Sequence, residues 1–270
     1  MTEFRPGRFQ ILPTVVKNLI IINVIMAFAQ FVLGNMGIDL TDYLGLHYWR
    51  SHYFYAWQLV THMFLHGSIG HIFLNMFALW MFGSILENVW GPKRFLTFYL
   101  ICGLGAALLH MGVVAFQFES IARAFEAYQN SPTGANLQAF QDIFNRWSGY
   151  TGNFSGVPMD VIYNNLYGVT TRSGEYLPGI VDQATIGASG AVFGILFAFG
   201  YLFPNTLLYI YFLVPIKAKY VVAAYAVFEL VAGISNSAGD NVAHFAHLGG
   251  MLVGFIILKI WNKNSRNTFY

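Results

Sequence analysis

The sequence predicts an all-α membrane protein that crosses the bilayer six times and carries one long extracytoplasmic insert. Three observations predict it. Of the 270 residues, 56% are apolar and only 10% are charged, whereas a soluble domain carries about 25% charged residues and needs them to cover its surface. The apolar residues gather in blocks about as long as a bilayer is thick. The basic residues collect in alternate loops, as they do in chains that thread a membrane.

In chain order the predicted spans are 15–33, 71–86, 95–118, 187–203, 220–234 and 243–261. The tail 1–17 is polar and basic, and the apolar run after it is longer than a signal-peptide core, so it reads as a retained first span. Several spans fall short of the ideal of roughly 20 residues, which a thinned bilayer or shielding neighbours tolerate. The run 207–215 is apolar and β-rich but half a span long; it reads as an interfacial lead-in to the fifth span, or as that helix's first half broken at Pro215. Cys102 lies alone in an apolar run, which excludes an intrachain disulfide and suits a small buried hydrophobe. No internal repeat is visible, which argues against a transporter.

Six spans put both termini on one side, and the loop charges choose which. Arg5, Arg8, Lys17, Lys93, Arg94, Lys217, Lys219, Lys259, Lys263 and Arg266 share one side. Only Arg50, Arg123, Arg146 and Arg172 fall on the other, with acids that include Asp39, Asp42, Glu119, Asp182 and Asp240. The expectation is both termini in the cytoplasm, in the cell (inner) membrane, with segment 117–184 outside. Within that insert, 121–128 and 137–147 have helical apolar spacing around a break at Ser131-Pro-Thr-Gly134, which predicts an amphipathic hairpin on the outer interface. Residues 148–178, rich in Gly, Asn, Thr and Tyr, predict an irregular loop.

Four polar residues stand out. Ser189 sits in Gly187-Ala-Ser-Gly190 at the head of the fourth span. A hydroxyl needs a neighbouring base to act as a nucleophile, and a helix N-terminus offers free N–H groups to an oxyanion. The same four residues also suit tight helix packing. His247 heads the sixth span, where an ionisable group is either functional or bonded to a loop. Gly250 and Gly254 share its face, and Gly190 and Gly194 define a face adjoining Ser189. Two such glycine faces let backbones approach, and that contact sets Ser189 beside His247. His71 and Asn75 occupy one face at the head of the second span and can contribute to an oxyanion hole or satisfy loop carbonyls. With both termini inside, spans two, four and six run from outside to inside, so all four residues fall at one depth.

His62 and His66, and His244 and His247, have spacings that can share a metal ion, but hydrogen bonding within the loop is the favoured reading and no metal is expected. Glu229 within span five reads as an interhelical hydrogen-bonding group, with a proton relay as the alternative.

These pieces together resemble the rhomboid family of intramembrane serine proteases, bacterial type. Thr61-His-Met-Phe-Leu-His66, His71-Ile-Phe-Leu-Asn75, Gly187-Ala-Ser-Gly190 and His247-Leu-Gly-Gly-Met-Leu-Val-Gly254 occur in the family's order. The resemblance implies a single domain over 1–270, with Ser189 as nucleophile and His247 as base and no third acidic residue. It implies an oxyanion hole of His71, Asn75 and the Ser189 N–H, a structural role for Glu87, and a substrate gate formed by 235–242 and span five. It implies transmembrane protein substrates cut near their outer ends, the lipid bilayer as partner, no cofactor and no nucleic acid. Oligomeric state is left open. Two departures stand: Gln58 follows Trp57 where many members have Arg, and the 117–184 insert is long. A catalytically silent substrate-binding or escort protein on the same scaffold is the alternative.

Overall fold

A computed structural model describes residues 9–148, 153–210, 214–235 and 244–266. Arg5, Arg8, Asp240, residues 149–152 of the predicted loop, residues 211–213 of the 207–215 run, residues 236–242 of the proposed gate and Ala243 lie outside them. The elements in order are α1 (Thr14–Asn35), α2 (Leu40–Leu44), α3 (Gln58–Thr61), α4 (Ile69–Ala78), α5 (Ser84–Trp90), α6 (Pro92–Asn130), α7 (Gly134–Ser148), α8 (Met159–Tyr167), the short pair β1 (Val169–Thr170) and β2 (Tyr176–Leu177), α9 (Ser189–Leu202), β3 (Leu207–Ile210), β4 (Val214–Lys217), α10 (Ala218–Ser235) and α11 (His244–Arg266). A π-helical turn, Leu79–Gly83, joins α4 to α5.

The fold is a helical membrane bundle. Among the described residues, five helices are long and apolar enough to span: Thr14–Asn35, Ile69–Trp90, Pro92–Asn130, Ala218–Ser235 and His244–Asn262. The shorter apolar helix α9 is buried along most of its length, including Gly190, Ala191, Gly194, Ile195 and Ala198. Its small residues admit neighbours on all sides.

Glycine sets the closest approach. A Cβ on Gly250 would overlap the Gly190 carbonyl, and one on Gly254 would lie 3.3 Å from the Gly194 carbonyl oxygen. A Cβ on Gly190 would overlap Ala106, and one on Gly194 would come within 2.7 Å of Cys102, so α6 backs the same helix pair. The core around it includes Leu79, Phe95, Phe98, Tyr99, Ile195 and Phe199. At the opposite end Glu87 accepts from the N–H groups of Val15 at 2.9 Å and Val16 at 2.8 Å. Pro13 gives α1 no side-chain cap, so this carboxylate supplies what the helix N-terminus lacks.

Three segments differ from expectation. Residues 121–128 are not a separate helix, because α6 continues without a break to Asn130. Its last turns pair with α7 and α8 around Ile121, Phe125, Phe140, Phe144, Phe154, Ile162 and Leu166, so these apolar faces cover one another. Residues 207–210 and 214–217 pair as antiparallel strands, with Tyr209 opposite Pro215. Proline lacks an N–H and is tolerated on a hairpin edge but not inside a helix, so α10 begins after it. The predicted irregular loop holds α8 and the β1–β2 pair.

Candidate active site

The loop before α4 is organised by Gln58, which is fully buried. Its Oε1 accepts from the N–H of Tyr55 at 3.2 Å and of His47 at 3.3 Å, and its Nε2 donates to the Tyr53 carbonyl at 2.7 Å. A neutral amide thus ties the loop with donor and acceptor together, where Arg could only donate. His62 Nδ1 lies 2.8 Å from the Gln58 carbonyl, and the His62 carbonyl accepts from Gly187 N–H at 2.9 Å. Loop one therefore holds the strand of chain that delivers Ser189. Burial pushes both His62 and His66 down to about 4, so each is neutral at physiological pH. The insert is tied to the same loop by buried Asp182, which accepts from Ser51 Oγ at 2.6 Å, His52 N at 3.2 Å and Tyr176 Oη at 2.6 Å.

Gly187 has φ +134°, a conformation side chains avoid, and a Cβ there would lie 2.9 Å from His71 Nε2. The turn brings Ser189 to the first position of α9. Ser189 Oγ lies 2.8 Å from His247 Nε2. The His247 ring stacks on Phe193, with centroids 4.1 Å apart and planes 7° from parallel. Ser68 caps α4 through His71 N at 3.1 Å. Gly67 N–H points at His71 Nδ1 across 3.4 Å, a long contact that assigns the ring proton to Nε2, the nitrogen facing Gly187. Asn75 Nδ2 donates to the His71 carbonyl at 3.1 Å. His62, His71, Asn75, Ser189 and His247 all line one cavity of about 990 Å³, whose remaining wall is largely apolar and includes Leu74, Phe77 and Met81 on the second span and Val221 and Tyr225 on α10.

The structure thus brings together all four residues that topology put at one depth. Gly187 lies beneath His71, and Gly190 and Gly250 meet back to back. The sequence reading did not foresee Phe193 against the His247 ring, nor the position of Glu229. The Glu229 carboxylate oxygen Oε2 stands 3.0 Å from His247 Nδ1 and 2.6 Å from His244 Nδ1. The resemblance implies a base with no acidic partner, and here a buried carboxylate adjoins it. Glu229 lies eight residues after Val221 and four after Tyr225, on the helix face that lines the cavity, a face that only the structure identifies. Glu229, His244 and His247 offer three ligand atoms within 4.8 Å of one another. His244 Nδ1 hydrogen-bonds the Glu229 oxygen, while His247 Nδ1 stands 3.0 Å from it without an aligned bond.

The sequence matches the family profile described as Rhomboid domain over residues 53–118 and 155–263. The stretch between the two matches holds the end of α6 and all of α7. An uncharacterised mitochondrial rhomboid protein of Schizosaccharomyces pombe is 26% identical over 218 residues, covering 77% of this chain and 52% of that protein. The mitochondrial RHOMBOID-like protein 12 of Arabidopsis thaliana is 26% identical over 227 residues, covering 84% and 50%. The rhomboid protease GlpG of Yersinia pseudotuberculosis is 23% identical over 240 residues, covering 88% and 59%. The chain spans about half the length of these curated relatives. Two of the three are mitochondrial, so the similarity is not confined to bacterial proteins.

Proposed function

The chain belongs to the rhomboid family, and from that premise we propose that it is an intramembrane serine endopeptidase with Ser189 as nucleophile and His247 as general base. The observation that carries this reading is the 2.8 Å contact of Ser189 Oγ with His247 Nε2 at the end of an apolar cavity. His247 takes the hydroxyl proton as Ser189 attacks the scissile carbonyl. The new oxyanion is met by the Ser189 N–H, free at the first turn of α9, with His71 Nε2–H and the second N–H of Asn75 beside it. His247 returns its proton to the leaving amine, and water admitted from the outer side repeats the sequence on the acyl-enzyme.

The substrates proposed are transmembrane proteins, cut near the outer interface. Leu74, Phe77 and Met81 line the cavity together with Val221 and Tyr225, apolar walls that suit an apolar segment arriving from the lipid. The fifth span forms its gate. The basic loops orient the multi-pass chain with both termini on the cytoplasmic side of the cell (inner) membrane. Residues 1–270 form one rhomboid membrane domain, and 117–184 is an extracytoplasmic insert.

The test is cleavage of a transmembrane reporter by the purified protein in detergent. Wild type cleaves and Ser189→Ala does not. Equal cleavage by both sinks the assignment of Ser189, and no cleavage by either favours the escort alternative.

A further inference from the structure

We propose that Glu229 completes a Ser189–His247–Glu229 triad, in which it positions His247 and stabilises its protonated form. The inference rests on the serine-protease reading above and adds to it a residue on a third helix. Glu229 is buried on the inward stripe of α10, with Val222 and Gly233. α10 rises toward the end of the bundle where α11 begins, so Glu229, late in α10, meets His244 and His247, early in α11.

A base that must accept a proton at Nε2 must carry its own on Nδ1. Among the described residues nothing else enforces that tautomer. Phe193 fixes the ring plane from one face and does not choose between the nitrogens. The His247 Nδ1 has no in-line hydrogen bond among the described residues, yet Glu229 Oε2 stands 3.0 Å from it. The carboxylate is within contact distance of Nδ1 but off the line of the ring N–H. Catalytic hydrogen bonds are often misaligned before substrate binds and tighten in the complex. When His247 takes the Ser189 proton, the imidazolium lies against an anion in a water-poor site, where the attraction is strongest.

His244 has a separate role. Its Nδ1 lies 2.6 Å from the same oxygen, so it anchors the carboxylate. An ionised carboxylate only accepts, and one imidazole donor at 2.6 Å with a second imidazole nitrogen 3.0 Å away fits that state. Among the described residues, the titratable groups around His247 are Glu229 on α10, His244 on its own helix, His71 on α4 and His110 on α6. Glu229 is the acid among them.

The experiment compares wild type, Glu229→Gln and Ser189→Ala on the transmembrane reporter across pH, with thermal unfolding of each. Glu229→Gln keeps the side chain's size and removes its charge. The expected result is a loss in kcat of about 10⁴-fold, what removing a triad acid costs in soluble serine proteases. KM changes little. The acid limb of kcat/KM moves to lower pH, because an imidazolium without its anion releases its proton more readily. Glu229→Gln within about threefold of wild type overturns the proposal. So does a loss that follows unfolding with the acid limb unmoved, since that is what a helix-docking role through His244 produces. Should Glu229→Gln not fold, Glu229→Met replaces it, which also removes the charge at similar size, and a kcat within about threefold of wild type overturns the triad. Ser189→Ala separates the two readings: if it still cleaves, the serine mechanism itself fails, whereas a dead Ser189→Ala beside an active Glu229→Gln removes only the acid.

Discussion

Replacing Gly250 with Ala tests the glycine seam between α9 and α11 most directly. The added methyl overlaps the carbonyl of Gly190. Both partners are backbone, so no side chain can swing aside. Regaining an ordinary contact of about 3.4–4 Å requires the helices to part by roughly 2 Å. Ser189 immediately precedes Gly190, and His247 lies one turn before Gly250, so the same displacement acts on the 2.8 Å Ser189–His247 contact. Stretched beyond about 3.6 Å, it is no longer a hydrogen bond. Overpacking of this kind costs about 1–3 kcal/mol in stability, while a misplacement of about 1 Å at reacting groups costs about 10²-fold in rate. Gly250→Ala is therefore expected to fold with a lowered melting temperature and to lose about 10²-fold in reporter cleavage. Labelling of Ser189 by a fluorophosphonate should slow in parallel. Wild-type cleavage and an unchanged melting temperature would refute the close approach of the two backbones.

Glu87→Ala removes two charge-assisted bonds from the α1 N-terminus. At about 1.5–3 kcal/mol for a hydrogen bond to a charged group, thermal unfolding in detergent should show a loss of a few kcal/mol, with the folded fraction still cleaving. Gln58→Ala strands the Tyr53 carbonyl and the His47 and Tyr55 N–H groups; roughly 2–4 kcal/mol is expected, with faster amide exchange across 42–55. For His62 the folded pKa of about 4 lies below the free value of 6.5. The unfolded chain therefore binds the proton first, and stability is full above about pH 6.5 and falls as pH drops toward 4. The loss from His62 alone approaches about 3 kcal/mol, and a melting temperature flat across that window would contradict its burial.

The depth of the site was legible because it depends on topology. Alternate spans run the same way, so a polar residue at the head of each span is at a known level whatever the packing. The glycine faces were legible for a similar reason: spacing fixes a face, and two small faces fit together. Glu229 beside His247 was not, since α10 is apolar nearly all round and offers no stripe to show which side turns inward. The length of α6 was hidden by Glu119, Arg123 and Glu126, which read as an interface where the helix simply continues. The pairing of 207–210 with 214–217 was hidden because a short apolar run fits strand or helix equally. The π-helical turn at Leu79–Gly83 leaves no trace in residue type, because register there is set by packing against α1 and α9.

The unbroken α6 also acts as a ruler. Ala106 lies against Gly190, level with Ser189, and Ile121 begins the apolar cluster of the insert. Fifteen helical residues separate them, about 22 Å at 1.5 Å each. A polypeptide gripped at the insert reaches Ser189 only if about six or seven extended residues lie between the grip and its scissile bond. With no hinge in the rod, that count is a constant of the molecule. Moving the insert by one helical turn, through four residues added to or removed from α6, should shift the preferred cleavage point of any substrate held there by one or two residues.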